Sequence, residues 1–307
     1  MASLPKKTIE WIERNQIEKT KDEVFLIDQL NKLADDLIRD SVPKFKDIDI
    51  PYINTENIHI LKDIDFKTII KSECNALVNI ENRGILIKGS FARKSPLVFS
   101  SDILHEILHL KGFTSIEVNK EGESFPRRSG VSSLSSIKKE KEGDFHAHFL
   151  GLNEAIVSSV QKTLLSKIID MSMFEKEKER MKGFSAVKNK VELAKKNGLD
   201  VRDIYWVTES GREGGVLPYP KHRELLDYMM GEIMVQYPEK YKNKNEVFKE
   251  FLKAHFSGEL INLGKIIEGT FGKGSFRVLG EMTDENESAE RTLERLKRMK
   301  ETEVGHA

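Results

Sequence analysis

The feature that most constrains this chain is one window, Ser101-Asp102-Ile103-Leu104-His105-Glu106-Ile107-Leu108-His109-Leu110, in which two histidines and a glutamate stand among leucines and isoleucines. Its apolar spacing predicts a helix from about Leu97 to Leu110, ended by Gly112 as a left-handed C-cap residue. Two imidazoles and a carboxylate inside so apolar a helix are costly to bury without partners. The spacing i, i+4 places His105 and His109 on one face, one turn apart, so that both can reach a single Zn²⁺ at about 2.0–2.1 Å. Glu106 projects beside them, where a carboxylate can accept a proton from a metal-activated water without itself ligating. Ser100, Ser101 and Asp102 supply polar groups near the helix start.

A catalytic zinc needs a third protein ligand and an open position. The HExxHxxGxxH pattern is met as far as Gly112, but Ser115 stands where its third histidine would be, which excludes that arrangement. The stronger candidate is Glu154, in Gly151-Leu152-Asn153-Glu154-Ala155 at the start of the next long apolar helix. His146 and His148, in Phe145-His146-Ala147-His148-Phe149, are the rival ligands, or else groups that bind the substrate carbonyl.

HEILH followed by LNEA on a downstream helix resembles the gluzincin branch of the zincin metallopeptidases over roughly Asn57 to Leu165. The resemblance implies His105, His109 and Glu154 as ligands of one Zn²⁺ per chain and Glu106 as the general base. Gluzincins often carry an acidic residue one turn after the third ligand; here that position is Ser158, so the outer partner of the ligating histidines is unassigned. By the same resemblance an edge strand should line the cleft and pair with an extended peptide. Gly84 to Lys88, with Ile85 and Ile87, is the expected strand. Tyr219, in a Pro-rich entry to a helix, is the candidate for stabilising an oxyanion, and Arg127 or Arg128 for holding a substrate carboxylate.

The rest of the chain reads as α+β, a zincin-like fold with a small twisted sheet packed on the HExxH helix and a mostly helical C-terminal part. Residues 1–45 form N-terminal helices; Thr20 and Glu23 open the longer one as a capping box. The catalytic core is expected over 46–169, with strands at Asn57–Leu61, Ala76–Ile80 and Gly84–Lys88, the last two a hairpin, and a further strand pair at Phe113–Val118 and Arg127–Leu134. Lys138 to Asp144 is a charge run, read as a solvated loop. A charged helix pair follows over Phe174 to Asn197, and 170–283 forms a mainly helical part that closes the cleft. Residues 284–307, mostly Glu, Lys and Arg with few apolar anchors, are expected to be a flexible tail.

Composition narrows the partners. The 307 residues carry 50 Lys+Arg against 50 Asp+Glu, which removes the basic field that phosphate backbones select. A single cysteine, Cys74, excludes an internal disulfide and a multi-thiolate zinc site. No apolar run is long enough to span a bilayer and no signal-peptide core follows Met1, so the expectation is a cytoplasmic protein acting on a peptide or protein substrate, with neither nucleic acid nor membrane as partner. Two other readings remain open: a zincin-fold binding protein that is silent or latent, and a helical scaffold in which HExxH is accidental.

Overall fold

The computed structural model describes residues 6–46, 50–70, 74–79, 83–93, 95–118, 120, 124–136, 145–183, 204–207 and 214–304. The charge run at 138–144, and the expected charged helix pair beyond Gly183, lie outside them. In chain order the helices are α1 (Lys6–Asn15), α2 (Lys21–Ser41), α3 (Asp63–Ile69), α4 (Gly89–Ala92), α5 (Pro96–Lys111), α6 (Leu150–Ile168), α7 (Glu175–Gly183), α8 (Pro220–Gln236), α9 (Lys244–Ser257), α10 (Leu260–Phe271), α11 (Ser275–Gly280) and α12 (Asn286–Val304). The strands are β1 (Ile58–Leu61), β2 (Ala76–Asn79), β3 (Gly84–Lys88), β4 (Thr114–Val118), β5 (Ser124–Ser129), β6 (Ser132–Ser136), β7 (Phe145–His148), β8 (Ile204–Val207) and β9 (Gly214–Val216). The fold is α+β with small sheets.

The chain forms two compact units, each assembled from separate stretches of sequence rather than from the consecutive blocks expected. The first contains Met1–Leu37, Asp49–Lys111 and Val160–Pro218; the second contains Ile38–Ile48, Gly112–Ser159 and Tyr219–Ala307. Helix α6 runs unbroken through both.

In the first unit α2 starts where the capping box places it. Thr20 N donates to Glu23 Oε2 (2.6 Å) and Glu23 N to Thr20 Oγ1 (3.2 Å), so two of the four orphan amides are satisfied locally. The sheet has the order β1-β3-β2. Strands β2 and β3 form the expected hairpin, with Asn79 opposite Gly84, while β1 joins β3 in parallel, Ile58 opposite Ile85. Strand β3 is therefore central, and Ile85 and Ile87 are 0% exposed. This corrects the expectation that Gly84 to Lys88 is a substrate-pairing edge, since the backbone groups on both sides of β3 are already used by β1 and β2. Ile12, Leu61, Phe66, Ile70 and Leu86 make a core cluster under α1 and α3, with Cys74 packed against it.

In the second unit β4-β5-β6-β7 is an antiparallel meander. The single strand expected at Arg127–Leu134 is broken by a tight turn at Gly130, whose φ is +60°. A Cβ there would lie 2.3 Å from Asn153 Oδ1 and 2.4 Å from His255 Nδ1, so only glycine fits. Gly112 does not take the left-handed conformation expected of it. The chain instead runs on into β4, and Phe113 N donates to His255 O (2.9 Å). The terminal segment is not a loose tail: α12 packs on α8 and buries Ala289, Thr292, Leu293 and Leu296, a continuous helical stripe.

Candidate metal centre

Helix α5 is apolar all round and almost wholly buried, which is why its polar residues must be accounted for one by one. Its N-terminus is built locally: Ser95 Oγ accepts from Val98 N (3.0 Å), Pro96 occupies the first turn, and the carboxylate of Glu177 on α7 accepts from Leu97 N (3.2 Å). Its C-terminus is held by Lys111, whose buried ammonium donates to Asp35 Oδ1 (2.6 Å) and to Pro51 O (3.1 Å). Fixed at both ends, α5 presents His105 and His109 one turn apart. Their Nε2 atoms are 3.1 Å from each other and their rings meet edge to face.

Helix α6 supplies the other groups. Gly151, in its first turn, is pressed against the chain at Thr283: a Cβ on it would lie 2.2 Å from Thr283 O, and its own N–H donates to Met282 O (2.9 Å). Asn153 Oδ1 accepts from Val131 N (3.2 Å) and lies 3.1 Å from His255 Nδ1. These contacts pin the first turn, and the regular helix then sets Glu154 and, seven residues on, Gln161 along one face. Gln161 Oε1 lies 3.2 Å from His105 Nδ1.

The carboxylate of Glu154 and the imidazoles of His105 and His109 each offer a ligand atom within 4.8 Å of the others. Two nitrogens on a tetrahedral zinc at about 2.0–2.1 Å stand roughly 3.3 Å apart, so the 3.1 Å histidine pair already has the spacing of two ligands. The donor set, two neutral imidazoles and one carboxylate, is that of a zinc site open at its fourth position. The residues present therefore fit the ion.

Glu106 is 9% exposed, next to His105 on the same helix. One turn earlier, burial and the Glu106 carboxylate push the Asp102 carboxyl up to about 7, with His105 opposing. Sequence reasoning left Asp102 without a role; two carboxyls at i, i+4 on a buried helix were the available signal. It also missed Gln161. The signal there was weak, a glutamine on an otherwise apolar stretch of α6.

The remaining expectations divide. Ser158 is fully buried and spends its hydroxyl on its own helix, donating to Glu154 O (2.6 Å). His148 lies in β7 opposite Ser133 and is not part of the three-residue grouping found among the described residues; the side chain of His146 lies outside the described set. Arg127 is paired with Glu117 on the exposed side of the β4–β5 ladder, so its charge is already neutralised. Arg128 donates from Nη1 to Gly258 O (3.1 Å) at the end of α9 and lies over the Phe113 ring at 4.7 Å, which makes it a helix-end support. Tyr219 occupies the left-handed N-cap position of α8 (φ 59°), with its ring edge-on to His222 at 5.5 Å. His222 is fully buried, its Nε2 is 2.9 Å from Thr283 O, and burial holds its pKa down against the pull of the Thr283 carbonyl and of Glu154 and Asp284.

No family model, curated protein or solved structure matches the chain. Among the described residues no helix is long and apolar enough to cross a membrane.

Proposed function

We propose that this chain is a zinc-dependent metallopeptidase of the gluzincin kind, with a zincin-like core, acting on a peptide or protein substrate. One observation carries the reading: the ligand atoms of His105, His109 and Glu154 converge within 4.8 Å on two buried helices. When bound there, zinc supplies Lewis-acid polarisation of a carbonyl and acidifies a water molecule.

The chain's own residues then do the following. His105, His109 and Glu154 would hold the ion. Glu106, 9% exposed beside His105 on the same helix, would accept a proton from the attacking water on its carboxylate and pass it to the leaving amine. Asp102 sits one turn away with its carboxyl held up near 7, so it does not place a second full negative charge against Glu106 at neutral pH. Tyr219, whose ring stands edge-on to the buried His222 in the second unit, is the proposed donor to the developing oxyanion.

Metal analysis of the purified chain together with a chelator-sensitive peptide-hydrolysis screen tests this. The expected result is about one zinc per chain, lost on Glu154→Ala and on either histidine→Ala, since two protein ligands leave the site incomplete. Absence of stoichiometric zinc in the wild-type chain would remove the reading.

A further inference from the structure

Gln161 on α6 and Ser101 and His105 on α5 all lie in the first unit. Gln161 is 1% exposed and Ser101 0%. The side-chain nitrogen of Gln161 donates to the Ser101 carbonyl oxygen (2.8 Å) and reaches Ser101 Oγ (2.8 Å), while its oxygen faces His105 Nδ1 at 3.2 Å.

With both imidazoles neutral, these contacts admit one pattern of hydrogens. A backbone carbonyl only accepts, so the amide nitrogen must face Ser101. The amide oxygen must then face His105, and because that oxygen also only accepts, the hydrogen has to be on His105 Nδ1. His105 Nε2 is left as a bare lone pair, 3.1 Å from His109 Nε2. Two bare lone pairs at that distance repel, so in the metal-free chain His109 carries its hydrogen on Nε2 and donates it to His105.

We propose that Gln161 is the positioning residue of the metal centre: it locks His105 as the Nδ1–H tautomer and so aims Nε2 at the point where His109 and Glu154 converge. Its role in metal binding rests on the zinc reading above; the tautomer lock does not. The identity of the residue follows from what surrounds it. A carboxylate could accept from His105, but its second oxygen would face the Ser101 carbonyl, oxygen against oxygen in a buried site. An amide accepts on one side and donates on the other at any pH, whereas a carboxyl does so only while protonated. Ser158, one turn after Glu154, instead directs its hydroxyl to its own helix, toward Glu154 O (2.6 Å) and Ala155 O (3.3 Å). A neutral partner also adds no further charge beside the Glu154 and Glu106 carboxylates, so the centre stays more electropositive toward a carbonyl oxygen than a carboxylate partner would leave it.

The test uses the full chain labelled with ¹⁵N-histidine, stripped of metal by chelation, and read by long-range ¹H–¹⁵N spectra. At a pH where both imidazoles are neutral, the wild type should show opposite tautomers, Nδ1–H at His105 and Nε2–H at His109, and this measurement needs no variant. Gln161→Met should lose the His105 signature and lower zinc affinity about 10- to 100-fold in a competition titration. Gln161→Glu, read at a pH where the introduced carboxyl is ionised, keeps an acceptor for His105 and should keep the tautomer, although it then gives up the donor to Ser101 as Gln161→Met does. A role confined to packing or to the Ser101 tie would move both variants alike. Nε2–H at His105 in the wild type, or Met and Glu variants indistinguishable in tautomer and zinc affinity, overturns the proposal. A wild-type chain that shows the tautomers, loses them in Gln161→Met and takes up no zinc supports the lock and overturns the zinc reading instead.

Discussion

Leu296→Ala tests how the C-terminal helix is held. Leu296 is 0% exposed on α12, in a stripe with Ala289, Thr292 and Leu293, and α12 packs on α8. The ion pairs that tie this helix down, Arg295 to Glu281 (2.8 Å), Lys221 to Glu290 (3.2 Å) and Lys300 to Glu232 on α8, all join partners that keep contact with solvent and contribute about 1 kcal/mol or less each. The apolar stripe must therefore carry the docking. A leucine truncated to alanine in a closed site costs roughly 2–5 kcal/mol, from lost transfer energy and from the cavity left behind. Taking about 3 kcal/mol, the midpoint of thermal unfolding of the second unit falls by roughly 6–12 °C. Calorimetry and urea unfolding followed by far-UV circular dichroism read this, with the exposed Glu301→Ala on the same helix as control, expected within about 0.5 kcal/mol of wild type. If the two variants shift alike, α12 is not docked and the loose tail suggested by its charge content is the correct description. A chain ending at Thr283 should be destabilised further, since it strips the cover from α8 as well.

Glu106→Gln should keep zinc and fold but lose turnover by about 10²-fold or more, because the amide retains shape and cannot accept the proton; near-normal turnover in a zinc-loaded variant removes Glu106 from the mechanism. Asp35→Ala strands the buried Lys111 ammonium at the end of α5 and should cost about 3–5 kcal/mol in urea unfolding, whereas the pair replaced together by apolar residues should cost much less; equal losses would contradict the buried-pair account. His59, hydrogen-bonded to Gln16 at 3.0 Å, has its pKa held down to about 4 by burial and then by Lys19, against about 6.5 unfolded. The folded chain thus binds fewer protons than the unfolded one between those values, so this stability is complete above pH 6.5 and is lost as pH falls toward 4. At full weight the gap is roughly 3 kcal/mol, reduced to about 1–2 kcal/mol for a ring that still touches solvent. His59→Gln should flatten that part of the stability–pH curve, and an unchanged slope would refute the assignment.

What the sequence determined by itself was whatever is set over a few residues. The Thr20–Glu23 cap, the helix around HEILH, the β2–β3 hairpin and the closeness of His105 to His109 all follow from spacings of two to seven residues, where backbone geometry leaves little choice. Glu154 was nominated from its place near the start of the next long apolar helix and from the LNEA resemblance, and its carboxylate lies within 4.8 Å of the ligand atoms of both histidines. Only the tertiary structure decided the rest. That β3 is central, and not an edge for Ile85 and Ile87 to offer a peptide, depends on β1 joining it in parallel from well upstream. That Gln161 orients His105 depends on two helices meeting 56 residues apart. That α12 is anchored depends on α8 presenting a surface to it. In each case the local pattern was compatible with more than one arrangement. The choice was made by complementary burial and by the need of every buried donor for an acceptor, and both are properties of segments brought together from distant parts of the chain.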